Sequence, residues 1–216
     1  MEAEPRQSTT SDSDRPLCVD LDGTLLATDS MAEGLVELLK TAPWRLFTAA
    51  AELTKGRPQL KRYLAENAPV DPASLPYREE VLEEIRQARD AGRRVLLVTA
   101  SDQATADAVA GYLDLFDEAI GSDGKNNLKA AKKAEYLASR FGAGGFQYLG
   151  DSSADLPVWQ AANEASMVCP SASTRRAAER QVPRTQVLCE RPSKLRAAVK
   201  ELRPHQWAKN TLLFVP

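Results

Sequence analysis

Short, predominantly apolar runs alternate along this chain with longer stretches in which apolar residues recur every three or four positions. The apolar runs are residues 16–21, 94–99, 119–120, 147–150, 165–169 and 186–189. Runs of this length, bounded by loop residues, predict strands buried on both faces of a parallel sheet. Between them, helical spacing covers residues 77–91, with Val81, Leu82 and Ile85 as its apolar face and Gly92 as its stop. Further helices are predicted from the Ser101–Asp102 cap to about residue 115, over 129–141, over 155–162 and, capped by Ser193, over about 194–202. Strands alternating with helices predict a Rossmann-like, three-layer α/β fold around a parallel sheet.

One stretch breaks the alternation. Residues 29–76 carry three helical stripes (Leu35, Leu38 and Leu39; Leu46, Phe47 and Ala50; Leu60, Tyr63 and Leu64), punctuated by Pro43, Gly56 and Pro58. They read as a small all-helical insert between the core segments 16–28 and 77–200. Residues 1–15 contain little to bury and read as a disordered tail. Residues 201–216 read as a linker that stops where an apolar stretch, Thr211 to Pro216, begins, as expected of a chain continuing into a membrane segment.

Composition narrows the chemistry. The chain has 216 residues and a net charge of -2, so nothing global calls for nucleic acid. Its single histidine, His205, leaves acid–base work to carboxylates, lysine or tyrosine. Cys18, Cys169 and Cys189 show no metal-binding spacing, and with no signal peptide they read as thiols of a reducing cytosol.

In open parallel sheets ligands bind beyond the carboxyl ends of the strands. Three predicted strands deliver polar residues there: Asp20-Leu21-Asp22-Gly23-Thr24, Thr99-Ala100-Ser101, and Gly150-Asp151-Ser152-Ser153-Ala154-Asp155. Carboxylates meeting at one rim need a neutralising cation, and hard oxygen ligands select magnesium. A lone Asp-x-Asp is more often a solvated turn than a site; three such strings in order, each after a buried strand, are much more specific.

These strings, over about residues 16–170, resemble the first, second and fourth motifs of the haloacid dehalogenase superfamily of phosphohydrolases. The resemblance implies that Asp20 is a nucleophile forming an aspartyl-phosphate, and that Asp22 is the general acid and base. Thr99, with Ala100, Ser101 and Gly23, would hold phosphoryl oxygens. Asp20, Asp151 and the carbonyl of Asp22 would ligate Mg2+, with Asp155 orienting the metal shell. The family's lysine falls within residues 127–137: helix-end counting favours Lys129, the preferred choice, and the string Lys133-Ala134-Glu135-Tyr136-Leu137 favours Lys133. An acid at Asp22 implies phosphate-ester chemistry, since dehalogenases lack it and ion-pumping ATPases carry Thr there. A phosphomutase uses the same pair.

The insert sits where phosphoserine-phosphatase relatives carry a mobile helical cap. Its mixture of Trp44, Arg45, Phe47, Lys55, Arg57, Lys61 and Arg62 reads either as charged outer faces of amphipathic helices or as a surface for lipid headgroups or an amphiphilic phosphate. Residues 202–213, with Arg203, Trp207 and Lys209, resemble the entry to the first membrane helix of UbiA-like prenyltransferases, nearest the branch that makes polyprenyl-phosphoryl phosphoribose. The two resemblances together imply a fused enzyme at the cytoplasmic membrane face, whose soluble part removes the 5-phosphate of a lipid-linked sugar phosphate. The alternatives are a phosphatase of a phosphorylated small molecule such as phosphoserine or a sugar phosphate, and a non-catalytic regulatory domain.

Overall fold

The computed structural model describes residues 15–122 and 128–191. Six strands form one parallel sheet: β1 (Leu17–Val19), β2 (Val95–Asp102), β3 (Glu118–Ser122), β4 (Gln147–Gly150), β5 (Ala165–Val168) and β6 (Thr185–Cys189). Their order is β3-β2-β1-β4-β5-β6. The chain leaves β1 in one direction and returns on its other side, so the switch point lies between β1 and β4. That is where a crevice opens at the strands' carboxyl ends.

The continuous apolar runs follow from this position. Strand β1 is flanked by β2 and β4 and covered on both faces, and Leu17, Cys18 and Val19 are all fully buried. Leu17 and Val19 point to one layer, with Leu97, and there meet Val81 and Ile85 of α4 (Glu79–Asp90) and Ala106 and Val109 of α5 (Gln103–Leu113). Cys18 points to the other, with Leu137 of α6 (Ala131–Phe141), Trp159 of α7 (Leu156–Ala162) and Ala178 of α8 (Ala172–Gln181). The result is the expected three-layer α/β core.

The insert is helical: α1 (Ser30–Thr41), α2 (Leu46–Lys55) and α3 (Arg57–Asn67). It has an apolar core of its own, built on Leu38, Ala49, Leu60 and Leu64. Gly34 lets α1 close on α3: a Cβ there would stand 3.2 Å from that of Leu64. Asp29 caps α1 through the amide of Met31 at 2.8 Å, and Asp102, rather than Ser101, caps α5.

One helix had no counterpart among the expected elements, and two expectations are corrected. Helix α8 carries almost no apolar periodicity, because only Thr174 and Ala178 are buried; its one sequence signal is the Ser171 cap. Helix α6 begins at Ala131 and not at Lys129, because Ala130 has φ +50° and turns the chain out of the helix. Cys169 and Cys189 are joined in a disulfide between the ends of neighbouring strands β5 and β6, so the reading of all three cysteines as reduced thiols holds only for buried Cys18. No helix among the described residues is long and apolar enough to cross a membrane. The tail over 1–14, the helix over 194–202 and the prenyltransferase-like segment over 202–213 lie outside the described residues.

The packing makes a direct prediction. Leu97→Ala empties a fully buried site on a central strand and costs about 2–5 kcal/mol in urea unfolding. Val36→Ala on the exposed side of α1 stays within about 0.5 kcal/mol.

Candidate functional site

The turn after β1 carries Asp20 and Asp22 to the switch point, and the turn after β4 brings Asp151 and Asp155 beside them. Asp20, Asp151 and Asp155 each offer an oxygen, and these lie within 4.8 Å of one another. Gly23 makes this convergence sterically feasible. It has φ +79°, and a Cβ on it would fall 2.5 Å from Oδ2 of Asp151.

A buried polar chain runs beneath the carboxylates. Lys133 Nζ donates to Asp20 Oδ1 at 2.7 Å and to the Tyr148 hydroxyl at 2.7 Å. The Tyr148 hydroxyl donates in turn to Asp155 Oδ1 at 3.1 Å. Asp155 Oδ2 accepts from the amide and hydroxyl of Ser152, which fixes the turn that presents Asp151. Lys133 is only 3 % exposed. Lys129, the lysine preferred from the sequence, is exposed on the loop before α6 and lines the pocket without touching Asp20. Tyr148 was read only as part of a strand; no local string marks it, because its function depends on meeting α6 and the β4 turn in space.

Asp22 belongs to a different contact. Its carboxylate accepts from the Ser30 amide at 2.7 Å, from the Ser101 hydroxyl at 2.6 Å and from Lys61 Nζ at 3.2 Å. Ser30 and Lys61 are on the cap, so Asp22 is the point at which cap and core meet. Ser101 holds Asp22 through its hydroxyl. Thr99 is buried, and its Oγ1 accepts from the Ser101 amide at 3.0 Å. Thr99 and Ala100 line the pocket, and the Gly23 amide donates to the Thr28 carbonyl at 3.0 Å. The pocket over these residues has a volume of about 280 Å³, with Arg57 and Lys61 on its cap side.

The electrostatics separate the carboxylates. Burial pushes the Asp20 carboxyl up to about 7 against the pull of Lys133, with Asp155 and Asp22 adding to the rise. Burial, then the charge of Asp155, lifts Asp151 to about 6. Burial also acts upward on Asp22, but Lys61 and the hydrogen bonds from Ser101 and Ser30 outweigh it and hold the group below the ordinary carboxylate range. A clustered set of hard oxygens whose ionisation is resisted fits a divalent cation.

A family model described as haloacid dehalogenase-like hydrolase matches residues 17–160, and the chain belongs to that family of hydrolases. A relative named "Uncharacterized protein y4nM", of Sinorhizobium fredii (strain NBRC 101917 / NGR234), is 44 % identical over 202 residues. The match takes in 93 % of this chain but 39 % of that protein, so the chain spans about two-fifths of its relative's length. Among solved structures, a protein of unknown function from Bordetella pertussis Tohama I superposes with a TM-score of 0.58 at 18 % identity, over 82 % of this chain and 99 % of that one. A substrate-bound phosphoserine phosphatase gives 0.56 at 17 % identity, over 88 % and 99 %. A haloacid dehalogenase-like protein of Streptococcus pneumoniae gives 0.55 at 14 %, over 89 % and 100 %. At these identities the likeness concerns the fold.

The raised carboxyls set a pH dependence. Asp20 and Asp151 bind protons more tightly folded than at their ordinary value of 3.8. Their contribution to stability is therefore complete below pH 3.8 and is lost as pH rises through 6 and 7. Asp22, shifted the other way, contributes above its unfolded value and loses that contribution in acid. The metal-free protein should lose Tm as pH is raised from about 4.5 to 7.5, and a divalent cation should restore more at the upper end. A cation-induced rise in Tm equal at both ends would contradict the cluster's electrostatics.

Proposed function

We propose that this protein is a magnesium-dependent phosphatase that hydrolyses a phosphate monoester through an aspartyl-phosphate on Asp20. The observation that carries the reading is the Lys133–Asp20 ion pair, 2.7 Å long and buried, at the floor of a pocket beside two further carboxylates. Asp20, Asp151 and Asp155 would hold the metal, with the carbonyl of Asp22. When bound it supplies positive charge against the phosphoryl oxygens and the nucleophile.

The chain's own residues divide the work. An Asp20 oxygen attacks phosphorus as the bond to the leaving-group oxygen breaks, and the leaving oxygen takes a proton from Asp22. Water then attacks the same phosphorus and gives its proton to Asp22; the bond to Asp20 breaks and inorganic phosphate leaves. Lys133 holds Asp20 in place and offsets charge. Thr99 and the amides near Ala100 take phosphoryl oxygens. The contacts from Lys61, Ser101 and Ser30 keep Asp22 in the unprotonated form that the water step needs, and they weaken it as a base until Lys61 moves away. In the first half the leaving group displaces Lys61, so a protonated Asp22 can donate.

The substrate we favour is a lipid-linked sugar phosphate at the cytoplasmic membrane face, with the 5-phosphate of a polyprenyl-linked phosphoribose as the specific candidate. The chain would then act as one domain of a prenyltransferase fusion. Two observations support an amphiphilic leaving group. A second cleft of about 120 Å³, lined by Met31, Leu64, Val70, Leu75 and Val109, adjoins the polar pocket and shares Lys61 with it. The cap also exposes Leu39, Trp44 and Phe47 beside Lys40 and Arg45. The second reading, a small-metabolite phosphatase, is favoured by the near-complete superposition on a phosphoserine phosphatase.

Phosphate release from an aryl phosphate should require magnesium and be abolished by Asp20→Asn. Lys133→Ala should lose at least about 100-fold in kcat, while Lys132→Ala, exposed and off the pocket, should stay within about threefold. Full activity in Asp20→Asn would refute the mechanism. Between substrates, faster turnover of phosphoserine than of lipid-linked phosphoribose would decide for the second reading.

A further inference from the structure

Four basic side chains line the pocket above Asp20: Arg57 and Lys61 from the cap, and Lys129 and Lys133 from the core. Two are already committed. Lys133 serves Asp20 and Tyr148, and Lys61 serves Asp22 and the Ser101 hydroxyl at 3.1 Å. The other two, Arg57 and Lys129, make no side-chain hydrogen bond or ion pair among the described residues. Arg57 opens α3 and stands one helical turn before Lys61, so both lie on the side of the helix that faces the core. Lys129 comes from the opposite wall, on the loop leading to α6. Two cations without a side-chain partner among the described residues, one from each half of the molecule, thus face a single cavity.

Cleaving one phosphate monoester requires neither of them. The phosphoryl group being transferred lies over Asp20, where Lys133, Thr99 and the carboxylate cluster serve it. Cations gathered at one mouth repel one another until an anion arrives between them. Resting on the phosphatase reading, we infer that this pocket is specific for substrates with a second phosphoryl group, on the leaving-group side, and that Arg57 and Lys129 bind it. The Arg57 guanidinium offers a planar fork to two phosphoryl oxygens, and Lys129 adds a point charge. A zwitterionic amino-acid phosphate fits less well, because its ammonium would need a free acid on the cap side. The acid there, Asp29, has Oδ1 committed to capping α1, which leaves one oxygen against the two cations. The volume of about 280 Å³ suits a compact phosphorylated polyol, near the lower end of ligand pockets, ~300 Å³. A phosphodiester that joins a sugar to a lipid and a second phosphomonoester on a free sugar offer the same chemistry to these cations.

The test compares glucose 1,6-bisphosphate with glucose 6-phosphate and glucose 1-phosphate, which differ from it by one phosphoryl group. Dissociation constants are measured by calorimetry on Asp20→Asn, so that no turnover intervenes, and kcat/KM ratios on the unaltered chain. The bisphosphate should bind at least about tenfold more tightly than either monophosphate, beyond the roughly twofold gain from its two binding orientations. Arg57→Gln and Lys129→Gln should each shrink that ratio severalfold. Arg62→Gln makes the same charge change on α3, where the side chain pairs with Glu66 at 2.9 Å outside the pocket, and should leave the ratio intact. A ratio near two that Arg57→Gln does not change, or tighter binding of phosphoserine than of the bisphosphate, overturns the inference. Aryl phosphate turnover with a ratio near two would remove this inference alone. A tenfold ratio without turnover would keep the second-anion site and remove hydrolysis. Repeating the titration with a vesicle-embedded lipid phosphodiester sugar phosphate separates the lipid source from the free sugar.

Discussion

A lysine and an aspartate held out of water at the head of a central strand set the terms for the rest of this site. Taking both charges from solvent costs several kcal/mol per ion, and their attraction returns that only in good geometry with every other donor and acceptor satisfied. Here a second donor of Lys133 goes to Tyr148, and the Tyr148 proton to Asp155. A fold selected for stability alone would do as well with two apolar side chains in that position. The arrangement is explicable as a way to keep a carboxylate oxygen stationary beside a cavity, with Lys133 opposing the rise that burial imposes on its pKa. It also explains why Tyr148 and Asp155 are buried polar residues in an otherwise apolar layer.

The cap depends on the same economy of charge. Its apolar core is separate from those of the sheet, so its contact with the catalytic floor is largely polar: Lys61 and Ser30 meeting Asp22 and Ser101. An ion pair that substrate can replace allows a lid to close on the empty site and reopen around a leaving group. Under the proposed mechanism, Asp22 would thereby link cap position to the charge state of the group that handles protons.

The strands were legible because a parallel sheet covered on both faces forces unbroken apolar runs, as at Leu17 to Val19 and Val95 to Val98. The ends of those strands, and hence Asp20, Asp22 and Asp151, followed from the same pattern. Lysine was harder. A lysine normally faces water, so only the string from Lys133 to Leu137 hinted at Lys133 against the helix-end count for Lys129, and the turn at Ala130, with φ +50° at a residue that is not glycine, had no local signal. That Ser101 also meets Asp22 and Lys61, the latter forty residues away on another element, was not legible because the contacts exist only in three dimensions. Helix α8 was invisible because its buried face is only Thr174 and Ala178, and the Cys169–Cys189 bond because strand adjacency is not a property of sequence spacing.

The central claim is that Asp20 becomes covalently phosphorylated, and one measurement addresses it without knowledge of the physiological substrate. The protein is mixed with an activated aryl phosphate and magnesium, quenched in acid within milliseconds, digested and sequenced by mass spectrometry. The account predicts one added phosphoryl group on the peptide containing Leu17 to Thr24, carried by Asp20 and absent from Asp20→Asn. Turnover with no phosphopeptide, or a phosphoryl group on another residue, would contradict it.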